Sequence, residues 1–259
     1  MRIQLCGFWG TFRWEDSLFG RLLGDSAQIV TSDPDIRICS VFGSAGPGTV
    51  PSIFYSGEPG QPPRGGYDLN LTFCRAESER DMRLPNHAMG FGSDQSSMMR
   101  DDAPGWDDRN GIDYIYRHGQ GMRSKAREVL AMAGHEIVDG APPGYLEKIK
   151  VQGTTKWSIT MEKVRESGYV SEKILHAFVA GSVPIYYGDI DVGLDFNEAA
   201  MIHVRDESEL ADLSDMLTRE RWEECRAAPM FPGGLAPHWW DRDRLMEKIR
   251  LVFDNRPLV

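Results

Sequence analysis

Gly168–Asp195 reads GYVSEKILHAFVAGSVPIYYGDIDVGLD, and this stretch decides the fold. A polar turn at Tyr169–Ser171 leads into an apolar helix over Ser171–Ala180, and Val183–Tyr187 follows as a strand that ends at Gly188. Ser171 suits the N-cap position, and Glu172 falls in the first turn, where negative charge complements the helix dipole. Ala177, Ala180 and Gly181 give the helix a small-residue face for close approach to a sheet. Lys173 beside a helix N-terminus makes a ready anion site.

The same alternation extends outward. In the second half, Ile112–Tyr116, His135–Asp139, Lys156–Met161 and Met201–Val204 read as strands, and Met122–Ala133, Glu207–Leu217 and Asp241–Phe253 as helices. Strands alternating with helices indicate βαβ units around a parallel sheet. In the first half, Arg2–Cys6, Ile36–Val41, Ser52–Tyr55 and Tyr67–Phe73 are strand-length apolar runs. The Gly/Pro-rich stretches Gly43–Val50 and Gly57–Gly66 are loops after strands, where open α/β sheets bind ligands. Residues 91–111 lack periodicity, carry five Asp and read as a linker. The expected division is residues 1–100 as one Rossmann-like domain, 101–240 as a second, and 241–259 as a helix returning toward the first.

Composition narrows the function. The 259 residues are 41% hydrophobic and 26% charged, with a mean hydropathy of −0.40. The net charge of −10 argues against nucleic acid as the main partner, since phosphate neutralisation needs a basic face. No apolar run reaches the roughly 18–20 residues of a membrane span. The start, MRIQLCGFWG, does not read as a signal peptide, which leads to the expectation of a cytoplasmic protein. Cys6, Cys39, Cys74 and Cys225 form no C-x-x-C pair, which fits packed thiols and no structural metal. Asp189-Ile190-Asp191 is a D-x-D without a third ligand, read as a turn and helix cap. Trp239-Trp240 reads either as a sugar platform or as packing for the last helix.

The order G-Y-V-S-E-K-I, A-G-S-V-P-I-Y-Y-G, D-V-x-x-D-F-N from Gly168 to Asn197 strongly resembles the donor-binding motif of the family 10 glycosyltransferases, the α1,3/α1,4-fucosyltransferases. Ile53-Phe54-Tyr55-Ser56-Gly57-Glu58 is similar to that family's F-Y-S/T-G-E segment, preceded by the glycine turn Val41-Phe42-Gly43. Tyr67-Asp68, Arg83-Leu84-Pro85 and Val138-Asp139-Gly140 match shorter elements, as does Ile202–Asp206. The resemblance implies a GT-B fold, an α/β arrangement of two facing Rossmann-like domains. It implies inverting transfer of L-fucose from GDP-fucose to a glycan hydroxyl, α1,3 on N-acetylglucosamine or glucose, with no metal or other cofactor.

By the same resemblance Glu58 is the catalytic base, and Arg123, Tyr169, Ser171, Glu172 and Lys173 bind the donor. The reaction needs a carboxylate to take the acceptor proton and positive charge at the leaving diphosphate. It also needs negative charge near an oxocarbenium-like ring, for which Glu172 is the candidate. Where the family has F-E-N-S/T, this chain has Met161-Glu162-Lys163-Val164. Glu162 and Lys163 thus join the donor set, and Lys163 either adds a phosphate or ribose contact or points to solvent. Two alternatives stay open: a transferase for another nucleotide sugar, and a nucleotide-sugar- or glycan-binding protein without turnover. An oxidoreductase is set aside because no G-x-G-x-x-G follows the first strand. A peripheral membrane contact, to reach lipid-linked acceptors, also stays open.

Overall fold

Six short strands build the first sheet: β1 (Arg2–Cys6), β2 (Gln28–Ile29), β3 (Ile36–Cys39), β4 (Ser52–Ser56), β5 (Leu69–Thr72) and β6 (Asp81–Arg83). The computed structural model describes residues 1–254 apart from 45, 61, 76, 91–103, 117–118, 141–143 and 235–240. All pairings in this sheet are parallel, in the order β2-β1-β3-β4-β5-β6. Every residue of β4 and β5 is buried. Burial on both faces fits the apolar run Ile53-Phe54-Tyr55 of β4, whereas β5 alternates as Leu-Asn-Leu-Thr and buries its polar residues too. Helices α1 (Leu18–Leu23) and α2 (Asn86–Gly90) belong to the same unit.

Five strands form the second sheet, again all parallel. They are β7 (Asn110–Ile115), β8 (Ile137–Gly140), β9 (Thr155–Ile159), β10 (Val183–Tyr186) and β11 (Ile202–His203), in the order β11-β10-β9-β7-β8. The helices here are α3 (Met122–Met132), α4 (Tyr145–Gln152), α5 (Glu172–Ala180), α6 (Leu213–Met216) and α7 (Arg219–Ala227). The last helix, α8 (Arg242–Phe253), belongs to the first unit. Its Leu245, Ile249 and Val252 recur at helical spacing and join Ile3, Ile53, Leu69 and Leu71 in that unit's core. Asp241 caps it by accepting from the Arg244 N–H at 2.9 Å.

The units are 1–92, 167–169 and 237–259 on one side, and 93–166 and 170–236 on the other. Composition places one boundary near residue 100; the contacts also assign Ser167–Tyr169 to the first unit. The reason is local to that unit. The buried Arg83 guanidinium donates to the carbonyls of Phe73 and Gly168, and Tyr169 packs edge-on against Phe73 at 5.6 Å.

Other differences from the sequence reading have equally plain causes. The helix expected over Glu207–Leu217 is instead a 3-10 turn, Glu207–Leu210, followed by α6. Leu210 and Leu213 are both buried, so each short segment is anchored by its own side chain. Helix α4 was not expected, because its segment lies between Pro142-Pro143-Gly144 and Gly153. Trp239 and Trp240 lie outside the described residues. Among the described residues, no helix is long and apolar enough to cross a membrane.

One carboxyl group sits inside the second sheet. Asp113 on β7 is fully buried, and its Oδ2 accepts hydrogen bonds from Thr155 Oγ1 at 2.8 Å and from Ser158 Oγ. Among the described residues, its Oδ1 has no hydrogen-bond partner. Burial is the dominant influence and lifts its pKa from 3.8 to about 6 against the opposing pull of those hydroxyls. The folded state therefore holds this proton where the unfolded chain has released it, so stability falls as pH rises from about 4 to about 6. The two-unit difference corresponds to about 3 kcal/mol. Asp113→Asn is expected to remove this slope, measured as urea midpoints from pH 4 to pH 8. Parallel profiles for parent and variant would exclude Asp113 as its source.

Candidate active site

The loop after β9 brings Glu162 into the interior of the second unit. Its side chain is fully buried, and its backbone N–H donates to the Tyr187 carbonyl at 2.6 Å, extending the β9–β10 pairing. A buried carboxylate requires compensating partners. Glu162 Oε1 accepts from Ser171 N–H at 2.9 Å and from Ser171 Oγ at 2.5 Å. Its Oε2 accepts from Lys173 Nζ at 3.1 Å, and Arg123 Nη2 lies 4.0 Å away. Lys173 Nζ also donates to Ser171 Oγ at 2.7 Å.

Ser171 occupies the extended backbone geometry of an N-cap, but its hydroxyl makes no capping bond to α5. This differs from the sequence reading. Capping would require the hydroxyl oxygen to accept from an α5 N–H; here that oxygen accepts from Lys173 Nζ, while its proton goes to Glu162 Oε1.

Arg123, the second residue of α3, is buried rather than extended into solvent. Its Nε donates to the Met161 carbonyl at 2.8 Å and its guanidinium lies 4.5 Å above the Tyr116 ring. Tyr116 is anchored in turn, its hydroxyl reaching the carbonyls of Ile159 at 2.8 Å and Met161 at 3.1 Å. Burial holds that phenol well above its ordinary pKa, so it remains a donor.

Glu172 and Lys173 form the first turn of α5. Burial opposes ionisation of Glu172, yet Lys173, His176 and Lys148 more than reverse that and hold its pKa near 2. Burial likewise lowers Lys173, and the carboxylates of Glu162 and Glu172 outweigh it, so this lysine stays charged. His176 is pushed down to about 3, first by burial and then by Lys148, and is neutral at physiological pH. Lys148 on α4 is the member of this charge cluster that the sequence reading missed. The available signal was the Y-L-E-K-I-K-V-Q run itself, whose flanking prolines and glycines masked it.

The sequence-derived residues thus fall into separate groups. Arg123, Glu162, Ser171, Glu172 and Lys173 assemble in the second unit. Lys163 is adjacent in sequence but exposed. Tyr169 is buried in the first unit. Asp189, also buried, accepts from the Asp191 N–H at 3.2 Å through Oδ1, which makes the D-x-D a turn. Among the described residues, no cluster of metal-ligating side chains occurs.

Glu58 lies in the first unit, exposed, just past the carboxyl end of β4. The buried Ser56 Oγ accepts from its backbone N–H at 3.2 Å. Gly57 sets the path of this loop. A Cβ there would lie 2.7 Å from the Tyr55 hydroxyl and 2.8 Å from Asn86 Cβ. Gly57→Ala is therefore expected to displace the loop and cost about 1–3 kcal/mol of stability. The check is a thermal melt beside turnover; unchanged values in both would show that the loop absorbs the methyl group.

Two parallel-sheet α/β units on one chain fit the GT-B class of fold. Within that class, the chain shares its fold with solved α1,3-fucosyltransferase structures. One, with GDP-fucose, has a TM-score of 0.76 at 14% identity, covering 98% of this chain and 90% of that one. A second, with GDP, has 0.76 at 15% identity and the same coverage. A third has 0.78 at 14% identity, covering 99% and 91%. In sequence, the α-(1,3)-fucosyltransferase FucT of Helicobacter pylori is 37% identical over 51 residues. That match spans 20% of this chain and only 11% of the relative's length. No protein-family model matches the chain.

Proposed function

We propose that this protein is an inverting fucosyltransferase that moves L-fucose from GDP-fucose to a hydroxyl of a glycan acceptor. The observation that carries the reading is the buried Glu162–Ser171–Lys173–Arg123 cluster at the start of α5. It sits within the motif that resembles the family's donor site, on a fold shared with an enzyme solved with GDP-fucose.

In this reading Glu162 is a positioning residue that holds Lys173 and Ser171 at the mouth of the helix. Lys173, Arg123 and the α5 N-terminus meet the diphosphate and stabilise the charge that develops as it leaves. Glu172, held ionised, stabilises the positive sugar ring. The bond between the anomeric carbon and the diphosphate oxygen breaks as the acceptor oxygen bonds from the opposite face. Glu58 takes the acceptor proton, and GDP departs with the electron pair. A single displacement of this kind inverts the anomeric centre and requires neither a covalent intermediate nor a metal. The acceptor sugar is N-acetylglucosamine or glucose, and the linkage α1,3.

Calorimetric titration with GDP-fucose, GDP-mannose and UDP-galactose tests the donor without knowledge of the acceptor. Selective binding of GDP-fucose is the expected result. Preference for another nucleotide sugar would overturn the donor and make the exposed Lys163 the first residue to exchange. Binding without transfer to any acceptor would leave a nucleotide-sugar-binding protein.

A further inference from the structure

The carboxyl end of the first sheet carries an aromatic cluster that the donor chemistry does not use. Trp9, in the loop after β1, is 39% exposed, and Phe42, in the loop after β3, is 54% exposed. Their rings meet nearly edge to face, 6.1 Å apart at 77°. Phe12 packs nearly edge to face with Trp9 at 4.9 Å and 86°, and Phe8, packed against the core, meets Phe12 at 4.2 Å.

The two loops are locked together by their backbones. Phe42 N–H donates to the Gly7 carbonyl at 2.9 Å, and Ser40 N–H to that of Cys6 at 2.8 Å. A Cβ on Gly7 would lie 2.7 Å from the Gly43 nitrogen, and one on Gly43 the same distance from Gly7 Cα. Gly7 has φ +63°, a conformation that glycine adopts without strain. The aromatic rings are therefore presented by a fixed pair of turns.

We infer that Trp9 and Phe42, set nearly at right angles, form a cornered platform on which one ring stacks against, and the other flanks, an uncharged pyranose ring of the glycan acceptor. This rests on the transferase reading for the role of Glu58. Strand order is the argument for the occupant. β1, β3 and β4 are consecutive neighbours, and the loops after them carry Trp9, Phe42 and Glu58 in that order. Strands are spaced by roughly 5 Å, so the platform begins about one strand from the base and extends over about one sugar ring. A pyranose offers a face of C–H groups to the negative face of an aromatic ring and keeps its hydroxyls at the rim. The exposed residues that follow the rings in sequence, Gly10 and Thr11 after Trp9 and Gly43 and Ser44 after Phe42, are small and uncharged, which leaves room for that rim.

The test uses the full chain on an array of neutral and charged oligosaccharides that includes lactose and N-acetyllactosamine. GDP-fucose calorimetry and a thermal melt are run on the same samples. Trp9→Ala and Phe42→Ala are expected to reduce capture of neutral glycans at least tenfold, with Trp9→Phe recovering most of it and GDP-fucose affinity unchanged within twofold. Both side chains are exposed, and should either variant fail to fold, the other carries the test. A parent that captures no neutral glycan would overturn the inference. So would variants that capture as well as the parent, or a parent that self-associates through these rings. Glycan capture without any GDP-fucose binding would instead remove the transferase reading and keep the platform.

Discussion

Glu58→Gln is expected to abolish sugar transfer while GDP-fucose binds as in the parent. The fall in kcat is about 10²–10⁴, the ordinary contribution of a positioned general base. Glutamine preserves length and hydrogen-bonding capacity but cannot accept the acceptor proton at neutral pH. The side chain is exposed, and the Ser56 contact that fixes the loop is made by the Glu58 backbone, so it survives the exchange. Stability should accordingly change by no more than about 0.5 kcal/mol. Single-turnover transfer and donor titration on one sample separate the outcomes. Parental turnover would remove Glu58 from the mechanism, and loss of donor binding would show that it belongs to the donor site instead.

Lys173→Ala is expected to weaken GDP-fucose binding by about a hundredfold, close to 3 kcal/mol. It removes a charge that two carboxylates keep protonated and that the proposed mechanism assigns to the diphosphate. Among the described residues, it also leaves the buried Glu162 side chain with only Ser171 in hydrogen-bond contact and Arg123 at 4.0 Å. Stability should therefore fall as well, by about 2–3 kcal/mol, since breaking one side of a buried pair leaves an uncompensated charge. The two effects separate in the Glu162→Gln/Lys173→Ala double variant. Removing the carboxylate charge should restore much of the melting temperature without restoring donor affinity. If the double variant regained affinity too, Lys173 would be a structural partner of Glu162 and not a phosphate ligand.

The parts of the fold that were legible in the sequence are those carried by short-range pattern. Buried parallel strands such as Ser52–Ser56 and Val183–Tyr186 are compact apolar runs bounded by glycine or polar turns, and they appear at the expected places. The α5 helix is bounded by Ser171 and by Gly181, which takes the left-handed conformation of a helix terminus. The strands β2, two residues long, and β6, three, were not expected. Segments so short have too few residues to show a period, and they owe their conformation to the neighbouring strand.

The site was legible only as a set of residue types. The ordered motif from Gly168 to Asn197 identified Ser171, Glu172 and Lys173, and the altered F-E-N segment drew attention to Glu162. What each of them touches was not legible. Ser171 reads as a helix cap, yet its hydroxyl donates to Glu162, nine residues earlier, and its oxygen accepts from Lys173 instead of a helix N–H. Arg123 lies 39 positions before Glu162, and only the adjacency of β7 and β9 brings their segments together. Lys148 escaped notice because its helix is bounded by prolines and glycine.

By itself, then, the sequence determined an α/β chain of parallel strands, the position of a donor-type motif and the residue types available for chemistry. These follow from periodicity, turn residues and local order, which act over a few positions. The tertiary structure alone decided that Ser167–Tyr169 belongs to the first unit, that Asp113 is enclosed away from solvent, and that Glu162 gathers Ser171, Lys173 and Arg123. Burial and Coulomb interaction depend on distances through space, and folding sets those distances between residues that the chain keeps far apart.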